Sequence, residues 1–512
     1  MNESSTMLPI PARKGSCKAC RESNSECDKK RPRCSECVAK NMACGGYDLG
    51  NIFINMNSAG PPPVWSRSQN AQKYLVLDWA SQSDDQDEEA SGAAMASPPP
   101  LDANSGSIHG MTELFLELYY RRVGPDKAST EPLRPGSECG GWRSLLPQLI
   151  GQSPILDTAI RALASCFIAT QYHDQNLLYQ SRNLYLSALQ QVQQVLPEQN
   201  SATRRDVLAT TLVMSSIEIF MGNGGAASQL THIEGAARLL YFAFTQQTFE
   251  ELHLYILSQG FFVALATRSR FAFGRPEYRS QVRQLFSIPR TYTNDHYFRW
   301  TEMMLPLPSI LYSADGVSSA TPGASILAML DDLTVLEQTM FSWYENVKAT
   351  IAGAWTFPTA QTGRDVVPFP LQFISIEACT IYNLYWMSQL LILDTRRSLL
   401  SSIPTHHIPP YHTHPDPVQI AEYASLICRS FQFCTQNRSF AATENMLTPI
   451  FMVAAFYKRQ GDTERLRWCV RNLERIADEQ KIGFPGELVN YAEGTVYAGG
   501  PSEFLAGVWD DV

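Results

Sequence analysis

The chain has 512 residues, 44% of them hydrophobic and 18% charged, enough to bury a sizeable core and to build one small module beside one or two large domains. Its net charge of −9 is unevenly placed: residues 13–44 carry nine Lys and Arg against four Asp and Glu, a local +5 that leaves −14 on the remainder. That balance excludes polyanion binding by the acidic body and assigns it to a basic head. No run of about eighteen apolar residues occurs, and residues 1–11 hold only scattered apolar positions, so neither a membrane span nor a secretory leader is expected. A soluble protein of a reducing compartment follows.

In chain order, the first feature is six cysteines: Cys17, Cys20, Cys27, Cys34, Cys37 and Cys44, spaced C-x2-C-x6-C-x6-C-x2-C-x6-C. This is one half-motif repeated. A C-x2-C pair grips a tetrahedral zinc ion from adjacent turns of backbone, and six thiolates satisfy two four-coordinate zinc ions when two sulfurs are shared. The competing reading is a disulfide framework, which an even cysteine count in a secreted protein would suggest. Length and the missing leader favour zinc. Cys139, Cys166, Cys379, Cys428, Cys434 and Cys469 are scattered through apolar, helix-like sequence and are expected as buried structural thiols.

Residues 13–46 therefore form the head. Residues 47–110 read as a largely disordered linker: Pro61, Pro62 and Pro63, an acidic run over 84–89, then Pro98, Pro99 and Pro100, with Gly, Ser and Ala between. An apolar island at 74–79 reads as a local docking strip. No heptad pattern follows Cys44, so the head is expected to be monomeric by itself.

From about 110 onward the periodicity is helical. Helices are predicted at 111–123, with Leu114, Phe115, Leu118 and Tyr119 on one face, and at 153–173. The stripe Leu178, Tyr185, Leu189, Val192 and Leu196 predicts another, closed by Pro197, and the next runs over 206–221 and stops at a glycine cluster, 222–225. Further helices are predicted at 249–266, 324–346, 372–397, 417–435, 446–459 and 463–481. Strand-like alternation is scarce and no fixed repeat is present. The expected fold class is mainly α: a small N-terminal zinc-cluster module at 13–46, a disordered linker at 47–110, one large all-α domain at 111–490 and a tail at 491–512.

The head resembles the fungal binuclear zinc-cluster DNA-binding domain in its cysteine spacing, Arg21 after the second cysteine, Asp28 after the third, Pro32 between the halves and Gly46-Tyr47 after the sixth. The body is similar to the fungal-specific transcription-factor domain through His232, Gly235, Ala236, Leu239 and Leu240, Glu218 in the preceding helix, and Trp468-Cys469. The resemblance implies that Cys17 and Cys34 bridge two zinc ions, that Cys20 and Cys27 complete one site, and that Cys37 and Cys44 complete the other. It implies two short helices, one after each C-x2-C pair, the first docking in the major groove on a CGG-like triplet. The implied partners are double-stranded DNA and the transcription machinery or co-regulators, with any homodimer made through the helical body, no membrane, and a nuclear location.

The DNA-facing residues so implied are Lys18, Arg21, Asn24, Lys29, Lys30 and Arg31, with Arg33 also available to phosphate. Two positions depart from the family pattern. Asn24 stands where a base-reading Lys or Arg is usual, and its amide suits adenine better than guanine. Glu26 stands where a phosphate-contacting Lys is common, and its charge repels the backbone. The resulting expectation is a sequence-specific regulator of RNA polymerase II transcription in a fungus; regulators of this build often govern metabolic or biosynthetic gene clusters. The alternative is a zinc-stabilised interaction protein whose head no longer reads DNA, favoured by Glu22 and Glu26.

Other constellations have plainer readings. His406, His407, His412 and His414 lie among Pro404, Pro409, Pro410, Pro415 and Pro417, a stiff exposed loop rather than a metal site. His232 reads as a satisfied core or capping residue, and the glycine cluster lacks the Lys-Ser/Thr of a phosphate loop. No nucleophile elbow or zinc-protease helix is present, so an enzyme is not expected. The tail, with Glu503, Phe504, Leu505, Trp509, Asp510 and Asp511, mixes acids and aromatics as activation segments do, though one docking aromatic on a frayed end fits as well.

Overall fold

The computed structural model describes residues 19–20, 23, 25, 27–28, 34–40, 107–120, 141–196, 203–221, 225–291, 295–356, 365–436 and 439–480. The chain divides into two compact units, Met1–Ala96 and Ser97–Val512. Most of the expected linker, the island at 74–79, Cys139 and the tail at 491–512 lie outside the described residues.

Among the described residues of the first unit, 19–20 are helical and a short helix, α1 (Ser35–Ala39), follows Cys34. The second unit is a succession of helices: α2 (Ile108–Tyr120), α3 (Leu146–Leu149), α4 (Pro154–Tyr172), α5 (Gln175–Val195), α6 (Arg205–Met221), α7 (Gly225–Gln246) and α8 (Glu251–Thr267). It continues with α9 (Arg279–Phe286), α10 (Asp295–Met304), α11 (Leu307–Asp315), α12 (Gly323–Thr350), α13 (Ile376–Ser401), α14 (Pro417–Thr435), α15 (Phe440–Gln460) and α16 (Thr463–Gln480). The mainly α expectation is met.

Local chemistry sets the helix starts. Ser153 accepts the Leu156 N–H ahead of Pro154, Ser375 accepts that of Ala378, and Asp416 accepts that of Val418 ahead of Pro417. Each side-chain oxygen satisfies one of the donors a helix start leaves unpaired, and proline at the first position sacrifices no bond. Gly461, at φ +72°, closes α15 in the left-handed conformation that glycine adopts without strain.

Differences from the periodic reading have physical causes. The helix predicted at 446–459 begins earlier, at Phe440, because Ser439 caps it through the Ala442 N–H. It also runs through Pro449, which removes one ladder bond without ending a helix buried against its neighbours. Gly225, expected in a turn, opens α7. Helices α9, α10 and α11 are two or three turns long, too short for periodicity to stand out, and packing of Val282, Leu285, Tyr297, Trp300 and Leu311 holds them. A two-residue antiparallel pair, Trp355–Thr356 with Leu371–Gln372, is likewise too short for alternation to reveal.

Sequence-adjacent helices pack together: α4 against α5, α6 against α7, α13 against α14, α15 against α16. One contiguous hydrophobic core runs from Phe115 to Ile476. At its centre α6, α8 and α13 are buried on almost every side. Polar residues on α13 are therefore paired internally, with Asn383 donating to the Cys379 carbonyl at 2.8 Å and Ser388 accepting from the Trp300 indole at 2.8 Å. Gly274 is required by a close approach: a Cβ there would lie 2.2 Å from the Leu305 carbonyl oxygen. Among the described residues no helix is long and apolar enough to cross a membrane.

Candidate metal centre and the polar clusters of the body

The head brings cysteines from both half-motifs together. The sulfurs of Cys20, Cys27 and Cys34 all lie within 4.8 Å of one another, forming a group able to hold a metal ion. Cys20 and Cys34 are 3.5 Å apart, and Cys37 is 3.8 Å from Cys20. Cys20, Cys34 and Cys37 are fully buried, with Ala19 and Cys27 packed on them. A tetrahedral zinc with bonds of about 2.3 Å places its sulfurs about 3.8 Å apart, so the spacing and the all-thiol donor set fit that ion.

Short hydrogen bonds build this geometry. Cys34 is the N-cap of α1, its sulfur accepting the Cys37 N–H at 3.3 Å, which leaves that sulfur facing both halves. Asp28 accepts the Ser35 N–H at 2.9 Å. Ser25 N–H donates to the Cys20 carbonyl, and the Ser23 N–H and hydroxyl both donate to that of Ala19. Lys40 ties the halves, donating to Ser25 Oγ at 3.0 Å while pairing with Glu36 at 2.7 Å. The Glu36 carboxylate, chiefly by its hydrogen bond, holds the Lys40 ammonium above its ordinary range, and nearby Cys20 and Cys37 add to that. In the sequence Lys40 carries no signal beyond its spacing of four from Glu36. The resemblance implied a helix after each C-x2-C pair, yet α1 begins inside the second pair, because Cys34 itself supplies the cap.

Cys17 and Cys44 lie outside the described residues, as do Lys18, Arg21, Asn24, Lys29, Lys30 and Arg31 and the acidic Glu22 and Glu26.

In the body, Cys166, Cys379, Cys428, Cys434 and Cys469 are buried thiols not joined in disulfides, as expected. Burial pushes the Cys166 thiol up to about 12. A hydrogen bond with Cys428, then burial, pushes Cys469 well above its ordinary value. Thiols held protonated are poor metal ligands and inert nucleophiles.

His232 is not alone. The Tyr185 hydroxyl donates to the Glu218 carboxylate and lies 2.7 Å from His232 Nε2, which is itself 3.6 Å from Glu218. Burial and then Glu218 raise the Tyr185 pKa. The motif residues Glu218 and His232 thus cross-link α5, α6 and α7. Tyr185 had read only as part of an apolar stripe.

The exposed-loop reading of the four histidines holds for His406, His407 and His414 but not for His412. His412 is buried and its Nε2 lies 3.1 Å from Asp331 on α12, so the proline-rich segment is anchored rather than free.

A further cluster was invisible in the sequence. Arg143, 2% exposed, donates to Tyr119 at 3.0 Å, to Ser216 at 2.8 Å and to both carboxylate oxygens of Glu444 at 3.2 Å. Its partners lie on α2, α6 and α15, up to 301 residues away.

Residues 15–49 match the fungal Zn(2)-Cys(6) binuclear cluster domain. Residues 113–300 match the fungal specific transcription factor domain. No curated protein and no solved structure matches the chain.

Proposed function

We propose that this chain, which carries the two domains of a fungal zinc-cluster transcription factor, folds its head around two zinc ions and docks it on duplex DNA. It is a sequence-specific DNA-binding regulator with a zinc-cluster head and a helical regulatory body. Both matched domains are transcription-factor domains, so its role is regulatory rather than enzymatic.

The observation that carries the metal reading is the convergence of Cys20, Cys27 and Cys34 from opposite halves of the motif. Cys17 completes that site in the proposed arrangement, and Cys37 and Cys44 form the second with Cys17 and Cys34 shared. Zinc supplies the core that a module this small cannot assemble from apolar side chains. After two zinc(II) ions and six thiolates are counted, the head retains a charge of about +3, a modest attraction for DNA. Lys18, Arg21, Lys29, Lys30 and Arg31 contact phosphate, and Asn24 faces the bases. The protein acts in the nucleus, on DNA and with the transcription machinery, and any dimer is made by the body. The domain limits proposed are 13–46 for the head, 111–490 for the body, and a linker between them.

Selection from a randomised duplex pool by the full zinc-loaded chain, at two salt concentrations, tests this. A sequence motif should be enriched, with steep salt dependence. Glu26→Lys should tighten binding to all sequences and steepen the salt slope by roughly one unit, while Asn24→Lys should move the preference toward guanine. A pool recovered without enrichment, unchanged by either substitution, would replace this reading with the zinc-stabilised interaction module that Glu22 and Glu26 favour.

A further inference from the structure

The helical body contains a cavity of about 170 Å³ where α6, α7, α8, α10, α13 and α15 converge beside Trp142. Its walls are mainly aromatic and aliphatic: Trp142, Tyr255, Phe262, Tyr297 and Phe451 contribute, with Leu384 from the central helix. One wall is polar. Ser258, 2% exposed and on α8, lines the cavity, and its hydroxyl has no hydrogen-bond partner among the described residues. A buried hydroxyl without a partner forfeits its hydration unrepaid, and helical serines usually avoid this by bonding back to their own backbone.

The Arg143–Glu444 pair borders the same space. The two charges neutralise each other through paired contacts at 3.2 Å, so the rim offers neither a net cation nor a net anion. Charged occupants are disfavoured in such surroundings, because an anion meets the carboxylate and a cation the guanidinium. Cavity size limits the occupant too: an apolar cavity of about 150 Å³ admits a benzene-sized molecule. Aromatic walls favour a ring over a flexible chain, through edge and face contacts that add to burial.

From this geometry we infer that the body binds a small neutral aromatic molecule, one ring bearing a hydroxyl or carbonyl group, with that group hydrogen-bonded to Ser258. The site lies wholly within the second unit and rests on no part of the DNA-binding proposal. The ring fills the space among Tyr255, Phe262 and Tyr297, and its polar substituent gives the Ser258 hydroxyl the partner it lacks.

Calorimetric titration of the full zinc-loaded chain with phenol, toluene and benzoate tests this. Phenol should bind saturably at one site and about five- to tenfold tighter than toluene, the increment of one buried hydrogen bond, with benzoate weakest. Ser258→Ala adds no volume and should reduce phenol to the level of toluene without changing toluene. Ala266→Phe, on the same wall, should abolish both; circular dichroism verifies that each variant is folded. Absence of saturable phenol binding overturns the inference. So does phenol affinity unchanged in a folded Ser258→Ala protein, or benzoate binding tighter than phenol.

Discussion

The Asp28 carboxylate accepts the backbone N–H of Ser35 at 2.9 Å, joining the residue after the third cysteine to the first turn of the helix after the fourth. With Cys34 sulfur taking the Cys37 N–H, it satisfies two donors of a five-residue helix that has no intrinsic stability. Asp28→Ala should destabilise the zinc-loaded head by about 1 kcal/mol and speed zinc loss to a chelator. Asp28→Asn keeps an acceptor oxygen and should fall between. Chelator-competition kinetics on the full chain decide it, and identical rates for all three proteins would remove Asp28 as a cap.

Native mass spectrometry should find two zinc ions per chain. Cys34→Ala should retain less zinc than Cys44→Ala, since a shared sulfur serves both ions and a terminal one serves a single ion. Equal retention in the two variants would argue that Cys34 is not shared.

Arg143 and Glu444 make an ion pair in which the guanidinium is buried and the carboxylate partly so, and removing one partner leaves the other charge uncompensated. Arg143→Met should therefore cost the body about 3 kcal/mol in urea denaturation. Adding Glu444→Leu should recover a large part of that loss, because a well-packed apolar pair replaces two desolvated charges. A double variant as unstable as the single one would show that the network's contacts to Tyr119 and Ser216 matter more than charge balance.

His253 predicts acid sensitivity. Its Nδ1 accepts the Glu250 N–H at 3.0 Å at the start of α8, which requires the neutral ring, and burial lowers its pKa from 6.5 to about 4. The unfolded chain takes up a proton near pH 6.5 that the folded chain refuses, so the stabilisation is complete above that pH and is lost as pH falls toward 4. The limiting loss is about 3 kcal/mol. Neighbouring Glu250, whose carboxyl burial pushes upward, works in the opposite sense, so the comparison needs a reference protein. His253→Asn supplies an acceptor that does not titrate. Between pH 7 and pH 4 the wild-type chain should lose more stability to urea than this variant, and parallel losses would disprove the assignment.

Helix content and a cysteine group able to hold a metal ion were legible in the sequence because both rest on local spacing. Ser153, Ser375 and Asp416 sit where side-chain chemistry starts a helix, and the cysteine spacing alone specifies a repeated metal-binding half-motif. The sulfurs of Cys20, Cys27 and Cys34 do converge. The body's decisive contacts were not legible. Arg143 meets Glu444 across 301 residues, His412 is buried against Asp331 despite its proline-rich surroundings, and Ser258 reaches the cavity from an almost wholly apolar helix. A helix pattern tells which residues face inward but not which inward face meets which. Pairings between distant helices are set by packing of the whole core, and that is where tertiary structure alone placed the polar groups.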